Sequence, residues 1–143
     1  MKKSICVVSV LIATLFCASA CMAGPDIPNL VGTWMVKSEG GVALKGKEPG
    51  PKTHHKGDFS ALNGEAVITK QQGRIIHGTF KAPLGEPEKF LGGIGLDNKT
   101  IYFVDEDGFI EGKIIDKDTI EVVYRHVTAF DIVVAVGVWT RKK

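Results

Sequence analysis

The chain has 143 residues, 44% hydrophobic, 24% charged and 8% aromatic, with 17 Gly and 6 Pro. One domain with a real core fits that length, while the absence of a glycine period or a charge excess excludes collagen, coiled coil and intrinsic disorder. The net charge of +2 comes from Lys2 and Lys3; the remaining 16 basic and 16 acidic side chains balance, so no basic footprint for nucleic acid remains.

Residues 1–23 read as an export signal: Lys2-Lys3 as the positive start, then twelve apolar residues from Ile5 to Phe16, then small residues from Cys17 to Ala23. A permanent anchor needs roughly 20 apolar residues, so this stretch is too short for one. Cleavage is expected before Cys21, after Ala18-Ser19-Ala20, or before Gly24. The first cut makes Cys21 the mature N-terminus and a candidate for lipidation, which would be the chain's one link to a membrane. Otherwise the product is expected in the periplasm or the medium. All three cysteines (Cys6, Cys17, Cys21) lie in this segment, so the body has no disulfide, no thiolate nucleophile and no cysteine metal ligand.

A linker at residues 24–28 leads into a single domain at 29–143. Short-period apolar stretches predict eight strands there: Val31–Ser38, Gly64–Gln71, Arg74–Lys81, Glu88–Leu96, Thr100–Asp105, Phe109–Ile115, Thr119–Val127 and Val133–Arg141. Links such as Gln71-Gln72-Gly73, Asp97-Asn98-Lys99 and Asp116-Lys117-Asp118 are too short for parallel crossovers, so the strands run as an antiparallel meander. Eight regularly spaced strands with no helix pattern favour an all-β, up-and-down barrel, in which closure removes the exposed edges. On the sixth strand Glu111 and Lys113 face water, leaving Ile110, Gly112 and Ile114 inward. On the seventh, Ile120, Val122, Tyr124 and His126 share the inner face. The fifth strand is apolar on both sides and gives no direction. Gly92-Gly93 reads as a sharp corner.

One connection is long. Residues 39–63 form a 25-residue Gly-, Pro- and Lys-rich loop, and such loops are often functional. Its Phe59 and Leu62 are expected to fold back over the barrel mouth as part of a lid.

Asn29-Leu30-Val31-Gly32-Thr33-Trp34 resembles the Gly-x-Trp first strand of the calycin group, the lipocalin- and avidin-like barrels. That likeness implies a basic side chain from the last strand packed across Trp34, a role that falls on Arg141, with Gly32, Trp34 and Arg141 closing one end. The lipocalin disulfides are absent, and no ligand is carried over. Ile68–Arg74, Gly78-Thr79-Phe80 and Asp97–Gly108 are also similar to a group of exported bacterial proteins, a likeness that implies membership and no chemistry.

Three constellations bear on chemistry. His54-His55 with His77 or His126 would suit a transition metal, but no third ligand is fixed by spacing, and on a Lys-rich loop the pair reads as solvated. Asp105-Glu106-Asp107-Gly108 lacks the full calcium-loop pattern and reads as an Asp-Gly hairpin. Tyr124 and His126, two apart on one strand, are a polar pair inside an apolar barrel, suited to orienting a ligand or simply satisfied by their neighbours. No metal, cofactor or catalytic residue is assigned, and no phosphate loop or hydrolase elbow is present. The expected function is binding of a small apolar or amphipathic molecule inside the barrel. The alternative is an exported protein-interaction or inhibitor module whose interior is filled.

Overall fold

The computed structural model describes residues 26–46, 54, 59–83 and 85–143. The export segment, Cys21, residues 24–25 and His55 lie outside them. Eight strands form in chain order: β1 (Gly32–Leu44), β2 (Ser60–Gln72), β3 (Ile75–Lys81), β4 (Glu88–Ile94), β5 (Thr100–Val104), β6 (Gly108–Asp116), β7 (Thr119–Val127) and β8 (Asp131–Arg141). Each pairs antiparallel with its sequence neighbour, and β1 also pairs with β8, from Trp34 opposite Arg141 to Leu44 opposite Asp131. The result is a closed eight-stranded meander barrel.

Alternation sorts the side chains as the pattern on β6 and β7 predicts. Ile114, Ile120, Val122 and His126 are buried, whereas Glu111, Lys113, Glu121 and Arg125 are exposed. Packing decides the strand that the pattern left open: on β5, Ile101 and Phe103 turn inward and Tyr102 and Val104 outward. On β8, Val133, Ala135 and Trp139 face in, while Ile132, Val134, Val136 and Val138 face out.

The long loop is shorter than expected. β1 and β2 are 13 residues each, so Glu39–Leu44 and Ser60–Asn63 are strand. Of the glycines at 40 and 41, Gly40 lies opposite both Ser60 and Ala135, and Gly41 lies opposite Val134. The continuous ladder with β8 holds the strand through them. Gly92-Gly93 is no corner, because the pairing runs unbroken through both residues on β3 and β5. The register shifts lie instead at Thr69, between Ile68 and Lys70, and at Ile115, between Ile114 and Asp116, where an extra residue increases strand coiling.

One end of the barrel is plugged. Trp34 is fully buried, and its indole Nε1 donates to the Leu30 carbonyl at 3.0 Å. The Arg141 guanidinium lies 4.3 Å from the Trp34 ring centre and donates to the carbonyls of Lys117, Val31 and Asn29 at 3.0, 2.7 and 3.0 Å. Gly32 makes this possible: its φ is +143°, and a Cβ there would sit 2.9 Å from the Arg141 guanidinium. Gln71 ties the incoming chain to the same end, accepting from Leu30 N and donating to the Pro28 carbonyl. The β4–β5 turn is fixed by Asp97, whose carboxylate accepts from the amides of Lys99 and Thr100. With the Thr100 hydroxyl donating as well, these bonds lower its pKa to about 2.

Arg141→Ala is expected to destabilise the barrel by about 1–3 kcal/mol, the range for charge-assisted hydrogen bonds with a cation–π contact. Arg141→Lys should recover little of it, because a point-charge ammonium cannot span three carbonyls on different segments. Urea unfolding of the two variants checks both.

Candidate functional site

Above that plug the core is aromatic. Trp139 stacks on Phe103 with ring centres 4.8 Å apart, and Phe90 meets Phe103 edge-on at 5.1 Å. This layer fills the barrel's lower half. Over it the packing stops, leaving a cavity of about 60 Å³ walled by Val36, Phe80, Phe90, Val122, Ala135 and Trp139.

The polar groups collect at the other end of this cavity because of the meander. Even-numbered strands start, and odd-numbered strands end, at one rim. Glu88 opens β4, Asp105 follows β5, Asp107 precedes β6, His126 lies near the end of β7 and Asp131 opens β8. Carboxylate oxygens of Glu88, Asp105 and Asp107 lie within 4.8 Å of one another. Asp105 also builds its turn, accepting from Gly108 N at 2.6 Å and Asp107 N at 3.3 Å, which is the hairpin role expected for it.

Behind the rim runs a buried hydrogen-bonded chain. Asp131 is 0% exposed and His126 4%. An Asp131 carboxylate oxygen lies 3.0 Å from His126 Nε2 and accepts from the Thr128 hydroxyl at 2.6 Å. A carboxylate can only accept, so Nε2 of His126 carries a proton. In the neutral ring, Nδ1 is then the acceptor. The Tyr124 hydroxyl lies 2.7 Å from that Nδ1 and 3.4 Å from an Asp107 oxygen. One hydroxyl proton cannot serve both, and the shorter bond takes it. Gly108 makes room for this tyrosine, since a Cβ there would fall 2.3 Å from its ring.

Burial, and then the charges of Asp105, Asp107 and Glu88, hold the Tyr124 phenol well above its ordinary pKa, so it stays protonated. Burial likewise raises the Asp105 carboxyl, with Asp107 adding to it and the two turn amides opposing. A carboxyl that holds its proton more tightly when folded gives stability that is full below its ordinary 3.8. That stability is lost as pH rises through the folded value. Asp105→Asn keeps the oxygen that caps the turn and removes this loss. Melting temperatures from pH 3 to 7 should therefore fall less steeply in the variant, and at pH 7 it should equal or exceed the parent.

Of the residues singled out from sequence, Tyr124, His126 and Leu62 line the cavity. Phe59 does not fold over the mouth: it is 93% exposed, just before the first paired residue of β2, with its ring outside the barrel. The described histidines, at 54, 77 and 126, do not converge as a metal set. His77 faces outward on β3 and His126 inward on β7, while His54 reaches the cavity wall, 3.2 Å from Glu88 and edge-on to Phe80. Glu88, Asp105, Asp107 and Asp131 were missed as site residues, although the common rim of a meander is a signal that brings them together.

No protein-family model matches the chain, and no curated protein matches it. Among solved structures, one described as a redesigned beta barrel is similar, with a TM-score of 0.49 and 10% identity over 80% of this chain and 92% of that one.

Proposed function

We propose that this is an exported barrel that binds a small apolar or amphipathic molecule in the upper half of its interior. The observation that carries it is the cavity of about 60 Å³ between an aromatic floor and a polar rim. Binding sites are typically concave and apolar, with a few convergent polar groups. A water needs roughly 10–15 Å³ of such space, so the cavity suits a group of a few heavy atoms rather than a long lipid tail. The calycin-like plug of Trp34 and Arg141 agrees with a container closed at one end. The filled-module reading fits the lower half only.

Thermal shift and native mass spectrometry with a panel of small hydrophobes test the reading. Filling the space with Ala135→Leu, with circular dichroism as the check that the variant folds, should abolish any shift seen with the parent. Binding that survives the filled variant would place the ligand elsewhere and end the idea. Export rests on residues 1–23, and the intact mass of protein recovered from a bacterial envelope reads both the cleavage point and any acylation of Cys21.

A further inference from the structure

Resting on that reading, we infer that the occupant is a small amine on an apolar body, a short alkyl- or arylalkyl-ammonium. The body would lie on Phe90 and Trp139, with its nitrogen at the Tyr124, Glu88 and Asp105 end. The argument begins with what the walls can offer a ligand. Among the described residues lining the cavity there is no lysine or arginine. Glu88 and Asp105, as carboxylates, are acceptors only. Tyr124 donates its hydroxyl hydrogen bond to His126 Nδ1, at 2.7 Å, so toward the cavity its oxygen offers a lone pair. His126 is committed at both nitrogens, to Tyr124 and to Asp131. The Ser38 hydroxyl is the other uncharged polar group on the wall outside the histidines.

A hydrogen-bond inventory of this kind selects for donors. A ligand carboxylate or phosphate would meet Glu88, Asp105 and the adjoining Asp107 with no lysine or arginine among the described lining residues, and with the nearby His54 imidazole already 3.2 Å from Glu88; like charges are excluded strongly at a desolvated site. An alcohol could satisfy one acceptor. An ammonium brings three donors and the opposite charge, and its attraction is strengthened by low local dielectric.

The apolar half of the ligand follows from the geometry below. Trp139 and Phe90 lie with ring centres 6.0 Å apart, forming an apolar floor beneath the rim. A cavity of about 60 Å³ holds the equivalent of about five waters, which limits the enclosed body to a butyl- or phenyl-sized group. Three clustered carboxylates alone would be an ordinary acidic patch. Here they border a concave, largely apolar cavity that the half-buried Tyr124 also lines.

The test uses the purified chain at pH 7 and low ionic strength with four-carbon probes of one shape: butylammonium, butanol and butanoate, with benzylammonium as the aromatic case. Isothermal titration should show the amines binding at least about tenfold tighter than the alcohol, and the carboxylate not binding. Glu88→Gln, on the cavity wall, should weaken the amines about tenfold and leave butanol unchanged, as expected for one charge-assisted hydrogen bond. Preferential binding of butanol or butanoate, blocked by Ala135→Leu, would overturn the amine assignment and leave the container reading standing. Failure of every probe, or binding indifferent to Ala135→Leu, would overturn both. Protection by calcium chloride alone, with no effect of amines, would make the rim a metal-cation site and sink the assignment.

Discussion

Trp139→Ala is expected to lower stability by about 3–5 kcal/mol, the range for removing a large aromatic side chain from a core. Trp139 is 1% exposed and, with Phe90, joins the two halves of the interior. It stacks on Phe103 and meets Phe90 below, and it also walls the cavity above. Its removal therefore deletes both ring contacts and extends the existing cavity downward instead of creating a sealed void. The second effect is separable from the first. A rigid closed ladder of eight strands collapses poorly around lost volume, so the enlarged space should take up benzene- or indole-sized molecules and recover part of the lost stability. Urea midpoints with and without saturating indole measure this. A parent-like midpoint for the variant would show that the aromatic layer does not hold the barrel, and no rescue by indole would show that the space had collapsed.

The barrel was legible in the sequence because two independent signals agreed. Strand alternation on β6 and β7 gave an inner face, and polar links of a few residues allowed only antiparallel neighbours. Boundaries were less legible where chemistry and topology disagree. Gly40-Gly41 carries the local signature of a loop, yet the ladder with β8, joined at Gly40 by β2, keeps it in β1. Asp131 lies outside the last strand expected from the sequence, Val133–Arg141, yet it opens β8 and is buried against His126 and Thr128. The site was half legible. Tyr124 and His126 share a strand face by period two, so sequence alone joined them. Glu88 and Asp105 are brought to them by long-range register, which no local pattern encodes, although the alternating direction of a meander puts their ends on one rim.

Asp131→Ala should cost about 3 kcal/mol or more, the range for removing one partner of a buried hydrogen-bonded pair. The carboxylate has no solvent to replace it: it is fully buried and accepts from His126 Nε2 and the Thr128 hydroxyl. Without it, His126 keeps a buried N–H with no acceptor, or shifts its proton to Nδ1. In the second case Tyr124 loses its acceptor and turns its hydroxyl toward Asp107. Asp131→Asn keeps one oxygen in place, so its cost should be smaller, about 1–2 kcal/mol, the range for a neutral hydrogen bond replacing a charged one. Because the three groups act as one chain, the losses should not add. Asp131→Ala combined with His126→Ala is expected to cost at least about 1 kcal/mol less than the sum of the singles, as residues in one network do. Imidazole nitrogen shifts supply the structural readout: proton on Nε2 in the parent, moved or averaged in Asp131→Ala. Additive losses with an unmoved tautomer would mean that Asp131 only caps its turn through Thr128, and Tyr124 would then owe its orientation to the rim carboxylates alone.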